Sequence, residues 1–471
     1  MPFYPTTSVT LREATATASI PSLNKVAVFS PHAFTKEFSM AFYSLEDLNN
    51  SSVSKYSDAY KALVSGFKDA GPRSLPIYLA RVAMDDVTLT PTVADNETYS
   101  FKATVYDTTD MSTVLDAVEV SFTSDSDATG VEITTGILAA AGTAGITPTE
   151  LLLTDNVSSI TIEESANRQL VLSDLSENLV STFTTTTSAA QAFDDFTSEN
   201  PSDWYYATTT VRDNDWILDM ADIIEATDNA DYPKMFHVTS SAIDTLSVQT
   251  NPSNVNDLLG RLEDGNYELT TGEWHQDSNT DFPEVGHMCW VGSYPTGVKA
   301  RAFSTQCKVS EARHPVLGRT LTKAEVGFIT DRNAVVRFRE MGIVLYKTGK
   351  LGTSARGQGQ WAQNVTIAHW TRLTMQQRNL NLLVNQDTAG DPITFTKRRL
   401  EVVADTLNSV LSEGVDSGFF TGFIPVEVPE SVAFDAQAMR TLEGLKFTAY
   451  LAGGVNFVLV DGVLTYSETV Q

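Results

Sequence analysis

The stretch DWYYATTTVRDNDWILDMADIIEA, residues 203–226, decides the fold. Its first part, Asp203–Thr209, is aromatic and β-branched, which favours a strand. Three apolar residues then recur at helical spacing: Trp216, Met220 and Ile223. Asp213 or Asn214 can cap this helix at its N-terminus. KMFHVTSS (234–241) predicts the next strand, and the alternation of strand and helix predicts a layered α/β core.

The same alternation extends upstream of this stretch. KVAVFS (25–30) predicts the first buried strand, which Pro31 ends. YSDAYKALVSGF (56–67) carries apolar residues on one helical face, and SLPIYLARVAM (74–84) predicts a second buried strand. Ala189–Thr197 is amphipathic and predicts a helix, so the core contains segments from both sides of residues 86–187.

Downstream, VRFREMGIVLYK (336–347) predicts strands that lead into a Gly-rich loop near 349–359. Two helices follow. The first covers roughly Thr371–Asn385, and the second begins after the N-cap Thr396 and ends at Gly414 as the C′ residue. Their predicted apolar faces carry Leu373, Leu380, Leu383 and Val384 in the first helix and Leu400, Val403, Leu407, Val410 and Leu411 in the second.

Residues 86–187 differ from the rest of the chain in composition. They hold sixteen acidic residues against two basic ones, and therefore about half of the net charge of −27. Alternation of period two at Tyr99–Val105 and Val118–Phe122 predicts strands. ILAAAGTAG (137–145) and TPTELLL (147–153) predict a short helical unit. We expect this segment to form a self-contained α+β insertion on the outer surface.

The acidic composition excludes some classes of partner. A net charge of −27 and a pI near 4.5 repel phosphates, so we expect no direct nucleic acid binding. No apolar run approaches the roughly 18 residues of a membrane span, and the first residues lack the pattern of a secretory signal. Two cysteines in 471 residues argue against a disulfide framework, which fits a reducing cytoplasm.

Cysteine and histidine residues come together in one part of the sequence. His287 and Cys289 are close, and His275, Cys307 and His314 are nearby. Zn²⁺ uses these ligand types, but the spacing matches no compact zinc motif. The string HMCW is also typical of one strand, whose neighbouring side chains point to opposite faces. We therefore predict buried cysteines and loop histidines, with no metal site and no cofactor.

No pattern in the sequence indicates catalysis. GKLGTSARGQG (349–359) lacks the spacing of a phosphate-binding loop. Adjacent acids such as Asp194-Asp195 and Glu163-Glu164 could act as general acid and base, but they are more typical of a solvated face. No nucleophile elbow or Ser-His-Asp spacing is present. The aromatic residues Trp204, Tyr205, Tyr206 and Trp216 suit core packing better than a ligand platform.

The two ends of the sequence carry strand-forming residues that have no evident core. GGVNFVLVDGVLTYSETVQ (453–471) begins with the flexible pair Gly453 and Gly454 and continues as an apolar ribbon. The predicted donor-strand residues are Val9 and Leu11 in the N-terminal arm and Val455, Phe457 and Leu459 in the C-terminal arm. An exposed strand needs a partner sheet, in this chain or a neighbouring one. If each subunit donates a strand head-to-tail to the next and the subunits do not close into a ring, they form a helical array.

Seven segments follow one another in a recognisable order. They are an N-terminal arm leading into SIPSLNKVAVFSPH, a β-rich insertion ending in LVSTFTTTTSAAQAF, DWYYATTTVRDNDWILDMADIIEA, a polar middle region, HWTRLTMQQRNLNLLVNQ, the helix at 397–413 and the terminal ribbon. This order resembles that of the tail sheath proteins of contractile bacteriophages over most of the chain. The resemblance depends on pattern and order, not on an invariant motif. The acidity of the insertion and the string HMCWVGSYPTG depart from the family's pattern.

The resemblance implies a structural subunit of a virion's contractile tail sheath, and not an enzyme. Such subunits would stack as hexameric rings in a helical array and exchange β-strands through both arms, with Gly453 and Gly454 as a hinge. Contraction would drive the tail tube through the host envelope. Besides further copies of the chain, the implied partners are the tail tube protein and baseplate and tail terminator proteins, with no nucleic acid and no membrane. Assembly would take place in the host bacterial cytoplasm.

The implied fold class is α+β and multidomain: a layered α/β core, a β-rich inserted domain and extended N- and C-terminal β arms. The expected segments are an N-terminal arm (1–22), a discontinuous core domain (23–85 and 188–345), an outward insertion (86–187), a tube-proximal α/β domain (346–452) and a C-terminal arm (453–471). Another baseplate or tail structural protein and a strand-exchanging surface adhesin subunit are the alternatives. A hydrolase of cell-wall sugars is a third, for which no carboxylate pair can be nominated.

Overall fold

The computed structural model describes residues 22–84, 86–107, 113–144, 151–164, 168–184, 187–228, 230–251, 253–296, 307–347, 350–351 and 360–452. Among these residues the chain forms two compact units, 22–366 and 367–452, and their boundary lies within one long helix. No helix in the described ranges is both long and apolar enough to cross a bilayer.

Helices and several separate sheets make the described chain α+β, as predicted. In chain order, the strands β1 to β19 are Val26–Pro31, Ser39–Phe42, Ile77–Val82, Asp86–Pro91, Thr98–Asp107, Val114–Thr123, Leu151–Asp155, Ile160–Glu164, Arg168–Ser173, Leu179–Thr184, Tyr206–Thr209, Met235–Ser240, Thr270–Trp274, Val335–Glu340, Ile343–Lys347, Lys350–Leu351, Gln360–Trp361, Phe420–Ile424 and Thr448–Leu451. The helices α1 to α11 are Leu45–Asn49, Asp58–Asp69, Gly130–Ala144, Ala189–Glu199, Asn214–Glu225, Leu258–Asp264, Pro283–Gly292, Lys323–Asp331, Ala362–Thr388, Lys397–Asp416 and Phe434–Ala438.

An eight-stranded sheet forms the centre of the first unit, in the order β15-β14-β13-β12-β11-β1-β3-β2. Its six inner strands are parallel, and the edge strands β2 and β15 run antiparallel to their neighbours. Strands β3, β12 and β13 are buried at every position. Continuous burial is expected of a parallel sheet, because helices cover both of its faces.

Neighbouring residues of β3 show which helices cover which face. Ile77 faces α2, since a Cβ added at Gly66 of α2 would lie 2.9 Å from Ile77 Cδ1. Tyr78 points the opposite way and contacts Phe196 of α4, with ring centroids 6.0 Å apart. Helix α7 packs on α2, and α5 packs on α4. Helices α2 and α7 therefore cover one face, and α4 and α5 cover the other.

Helix α7 is buried over almost its whole length because glycines let it approach its neighbours closely. A Cβ at Gly286 would lie 3.1 Å from the Ser65 backbone oxygen in α2, and a Cβ at Gly292 would overlap the Asn24 backbone oxygen. The Asn24 side chain donates hydrogen bonds to the carbonyl oxygens of Gly292 and Tyr294, at 3.0 and 2.7 Å. These contacts hold the end of α7 against the entry to β1.

Most of the predicted core elements are present. Strands β1, β3, β11, β12, β14 and β15 and helices α2, α4, α5, α9 and α10 all fall where the apolar patterns predicted them. Asp213 is the N-cap of α5, and its carboxylate accepts a bond of 2.8 Å from the Trp216 backbone N–H. Thr396 is the residue before α10, as predicted, although its side chain makes no capping hydrogen bond.

Three predictions were wrong. HMCW belongs to helix α7 and not to a strand, because a helix that is buried all round carries apolar residues on every side. Leu151–Leu153, expected in a helical unit, begin strand β7. Gly414 does not end α10, which continues to Asp416; a Cβ at Gly414 would overlap the Phe420 ring, so this glycine makes room for packing.

Residues 86–184 form two further sheets, β10-β4-β8-β7 and β6-β5-β9, around a shared core. Tyr99, Phe101 and Ile162 are among its buried residues. Asp86 of β4 pairs with Thr184 of β10, so the segment enters and leaves the rest of the unit at neighbouring points. This pairing is the arrangement that an insertion requires. The proposed segment boundaries themselves stay predictions.

We expect Gly292→Ala to destabilise the protein, because the added Cβ would overlap the Asn24 backbone oxygen. The free energy of unfolding should fall by about 1–3 kcal/mol, the usual cost of overpacking. Gly142→Ala is the matched control: it lies in α3 with open space around it and should be neutral or stabilising by up to about 1 kcal/mol. Urea unfolding followed by circular dichroism measures both, and equal stabilities would contradict the close packing of α7.

Candidate assembly surface

Helix α10 supplies the core of the second unit. Its predicted apolar residues are all buried: Leu400, Val403, Leu407, Val410 and Leu411. Phe419 and Phe420, which follow the helix, pack into the same cluster. Arg378 of α9 donates a hydrogen bond of 2.9 Å to Ser409 Oγ and also pairs with the Glu413 carboxylate, both in α10. The two long helices are thus joined by apolar packing and by a polar clamp.

The sheet of this unit contains two described strands, β18 and β19, which are antiparallel. Phe420 of β18 is buried, whereas Ile424, Tyr450 and Leu451 are each about half exposed. A two-stranded sheet has an outer edge on each strand, where backbone N–H and C=O groups can pair with further strands. Within the described part of the unit, no further strand pairs with either edge of this sheet.

Part of the predicted apolar face of α9 is also exposed. Leu373 is buried, but Leu380 and Leu383 are 50% and 49% exposed. Leu383 also lines a cavity of about 730 Å³, whose walls come from α9, residues 392–395, the first turns of α10 and residues 437–445. Exposed leucines beside an apolar cavity and an open sheet are typical of an interaction surface. We call this region of the second unit the assembly surface.

The predicted strand-exchange residues lie outside the described residues. They are Val9, Leu11, Gly453, Gly454, Val455, Phe457 and Leu459. The last described residue is Ala452, whose backbone N–H donates a 2.9 Å hydrogen bond to Phe419 O. In sequence, the predicted C-terminal arm therefore follows β19 directly. Its role as a donated strand stays a prediction, as does that of the N-terminal arm.

The cysteine and histidine residues considered as zinc ligands do not form one site. His275 Nε2 lies 3.0 Å from Ser310 Oγ, and His314 Nδ1 accepts hydrogen bonds from backbone N–H groups. Cys289 and Cys307 are buried. Burial raises the pKa of the Cys307 thiol to about 12 and that of Cys289 well above its usual value. Both thiols are therefore protonated and weak as nucleophiles or ligands.

His287 instead meets two residues that sequence reasoning did not single out. Its Nδ1 lies 2.9 Å from Glu273 Oε2, and His237 Nε2 lies 3.0 Å from the same oxygen. All three side chains are fully buried. Among the described residues, this is the one cluster in which histidine, cysteine or acidic ligand atoms converge as they would around a metal ion. No local motif reveals it, because its members come from β12, β13 and α7.

The other candidates for chemistry have structural roles where they are described. Trp204, Tyr205, Tyr206 and Trp216 are buried in the core, as predicted. Asp195 accepts a 2.7 Å hydrogen bond from Gln191 Nε2 one turn earlier in α4. In the Gly-rich stretch, Lys350–Leu351 form β16, and residues 352–359 lie outside the described residues. The described part of the chain therefore gives these candidates no shared site.

Comparison with known proteins identifies the fold. No family model matches the chain, and no curated protein matches it in sequence. A solved structure of a sheath tail protein from Desulfitobacterium hafniense is 8% identical, with a TM-score of 0.50 over 95% of this chain and 97% of that one. A chain from the contracted helical sheath of the anti-feeding prophage is 9% identical, with a TM-score of 0.54 over 98% of this chain and 100% of that one.

A chain in the baseplate structure of the anti-feeding prophage is also similar, with 10% identity and a TM-score of 0.50 over 98% of this chain and 99% of that one. The chain thus has the fold of contractile tail sheath proteins over nearly its full length, and the resemblance in segment order is confirmed at the level of fold. These structural neighbours are a sheath tail protein, a chain of a baseplate structure and a chain of a contracted helical sheath.

We expect both cysteines to be unreactive in the folded protein, because each thiol is buried and its pKa is raised. Ellman's reagent at pH 8 should modify neither thiol under native conditions and both in denaturant. Rapid modification of a thiol in the native protein would contradict the described burial of Cys289 or Cys307.

Proposed function

We propose that the chain is the structural subunit of a contractile phage or phage-like tail sheath. The observation that carries this proposal is the likeness to the contracted helical sheath of the anti-feeding prophage, which extends over 98% of this chain and all of that one. The match extends over nearly the whole chain, so it goes beyond a shared α/β layer. The subunit has no catalytic role; its work is assembly and contraction.

In this proposal, subunits stack as hexameric rings in a helical array and are linked by strand exchange. The two outer edges of the β18-β19 sheet are the acceptors, and the arms of neighbouring subunits are the donors. Val455, Phe457 and Leu459 form the inserted face of one donor strand, and Val9 and Leu11 serve in the other. Gly453 and Gly454 form the hinge that lets the C-terminal strand reach a different subunit.

Electrostatics favours this mode of linkage over contact between bare surfaces. A net charge of −27 per subunit opposes self-association, so the contacts that hold an array must be specific and largely apolar. Backbone pairing carries no net charge, and the exposed leucines of α9 supply apolar area beside it. The assembly surface would also face the tail tube protein, while the acidic segment 86–187 would project outward.

The remaining partners follow from the same proposal. Baseplate and tail terminator proteins would contact the two ends of the sheath, which would assemble in the bacterial cytoplasm and leave as part of the virion. Contraction would be a change between two packings of one set of interfaces, with the subunits moving as rigid bodies and no nucleotide consumed. A baseplate subunit is the second candidate, favoured by the likeness to the prophage baseplate. Closed rings without open cylinders would indicate that role.

Deleting Val455–Gln471 should abolish polymerisation and leave a folded monomer. The described helices and strands end at Leu451, before the deleted residues begin, and the proposal makes those residues a strand donated to a neighbour. Negative-stain electron microscopy of the concentrated full-length chain should show hollow cylinders, and the truncated chain should show single particles with an unchanged circular dichroism spectrum. Cylinders from the truncated chain would refute the donor role, and loss of its secondary structure would place the ribbon in its own subunit's core.

Replacing residues 87–183 by a short Gly-Ser linker should spare assembly if the segment projects outward. Asp86 and Thr184 are paired neighbours, so a few residues suffice to join them. The deletion uncovers Ala33 and Met84, which pack against the segment, and should lower stability without unfolding the central sheet. A folded deletion variant that forms no cylinders would place the segment within an interface. Adding the change Ala33→Ser to the same variant makes the uncovered patch less apolar, and so controls for non-specific aggregation through that patch.

A further inference from the structure

The buried cluster of His237, Glu273 and His287 is placed by the central sheet and its covering helix. In the β12-β13 register, His237 pairs with Thr271, so Glu273, two residues further on, points to the same face of the sheet. Helix α7 covers this face and carries His287. Three potential ligands from two strands and a helix thus converge on one point, with all three donor atoms within 4.8 Å of one another.

The charge of this cluster requires a counter-charge. Glu273 is fully buried, and a buried carboxylate is costly unless it is paired with a cation. Its hydrogen bonds among the described residues go to the two histidines, both through Oε2, while Oε1 is buried without a hydrogen-bond partner. A cation held between the three side chains would supply that charge.

We propose that His237, Glu273 and His287 bind one divalent transition-metal ion, with Zn²⁺ as the metal in the cell. Two imidazole nitrogens and one carboxylate are a common protein donor set for such ions. Zn²⁺ holds these ligands at about 2.0–2.2 Å, which places tetrahedral donor atoms roughly 3.4 Å apart. The observed contacts of 2.9 and 3.0 Å reach this spacing after small side-chain rotations. Water completes the coordination.

The surroundings of the cluster suit a rigid metal site. The Tyr346 ring stacks on His287, with centroids 4.0 Å apart and planes 10° from parallel, and the His237 ring meets His287 edge-on at 5.0 Å. Both contacts fix ring orientation, as the outer shell of a metal site does.

The metal would act as a structural cross-link. It would join β12 and β13 to α7, and it would bind during folding because all three ligands are inaccessible in the folded chain. This role is independent of the proposed function: it concerns the stability of the first unit, whether or not the chain forms a sheath.

Metal content and thermal stability of the full-length chain test the proposal. The chain is expressed without a polyhistidine tag, in medium supplied with Zn²⁺ or Co²⁺, and purified without metal resin. Plasma mass spectrometry should find about one equivalent of the supplied metal after gel filtration in excess Mg²⁺, which displaces ions from surface carboxylates. The Co²⁺ form should show visible d–d absorption of a tetrahedral nitrogen–oxygen site. Unfolding and refolding with a chelator should lower the Tm, and refolding with Zn²⁺ should restore it.

Ligand variants locate the site. His237→Gln, Glu273→Gln and His287→Gln should each weaken Zn²⁺ binding by more than the roughly 10–100-fold that loss of an outer-shell partner costs. His314→Gln is the matched control, because it removes a histidine outside the cluster and should keep one equivalent. Zn²⁺ bound as tightly by a folded ligand variant as by the parent chain would overturn the proposal.

If the ligand variants fail to fold, the metal content, Co²⁺ spectrum and Tm of the parent chain test the proposal. A parent chain that contains no transition metal, gives no Co²⁺ spectrum and has the same Tm with Zn²⁺ or chelator would also overturn the proposal. The three side chains would then be held together by their hydrogen bonds alone. Cylinder formation is scored separately by electron microscopy. A metal-free chain that still polymerises would refute the metal site and keep the sheath function, and a metal-loaded chain that never polymerises would do the reverse.

Discussion

Helix α7 has to cover one face of a parallel sheet whose inner strands are buried at nearly every position. That requirement explains several features that look unrelated in the sequence. Gly286 and Gly292 are where α7 meets other backbone atoms, Asn24 ties its C-terminal end to the entry of β1, and Gly66 opens space on α2. Because the helix is enclosed on all sides, its polar residues must be satisfied internally, and His287 meets Glu273 while Glu284 meets Arg212 at 2.6 Å. The helix that covers the sheet therefore also brings its polar side chains into the buried cluster.

The elements that sequence predicted well are those with a strong local pattern. Residues 25–30 and 234–241 are mostly apolar, and Asp213 precedes apolar residues at helical spacing. The two strands, the N-cap and the helix can therefore each be predicted from the local sequence. The string HMCW within α7 resembles a strand because a short apolar run gives no helical period when every side is buried. Residues 151–153 were assigned to a helix on composition, whereas pairing with β8 makes them a strand. Tertiary contacts that lie far away in sequence decided both cases.

The same distinction applies to the candidate sites. The exposed leucines of α9 belonged to a predicted apolar face, but only the structure shows that Leu380 and Leu383 are left outside the core while Leu373 is inside. In the sequence His287 lies close to Cys289, yet its neighbours in the structure, His237 and Glu273, are 50 and 14 residues upstream. A ligand set drawn from β12, β13 and α7 becomes visible only once strand register is known, since register determines which side chains share a face.

The two units therefore meet different physical demands. The first buries a parallel sheet between helices and holds buried polar pairs such as Arg212 and Glu284 within that packing. The second keeps a sheet of two described strands and an apolar helix face at its surface, at a cost in solubility that a net charge of −27 offsets. In a contractile array, charge repulsion between subunits would oppose association in the extended and in the contracted packing. Strand exchange would then keep subunits linked in both, while the difference between packings remained small enough for a single trigger to release.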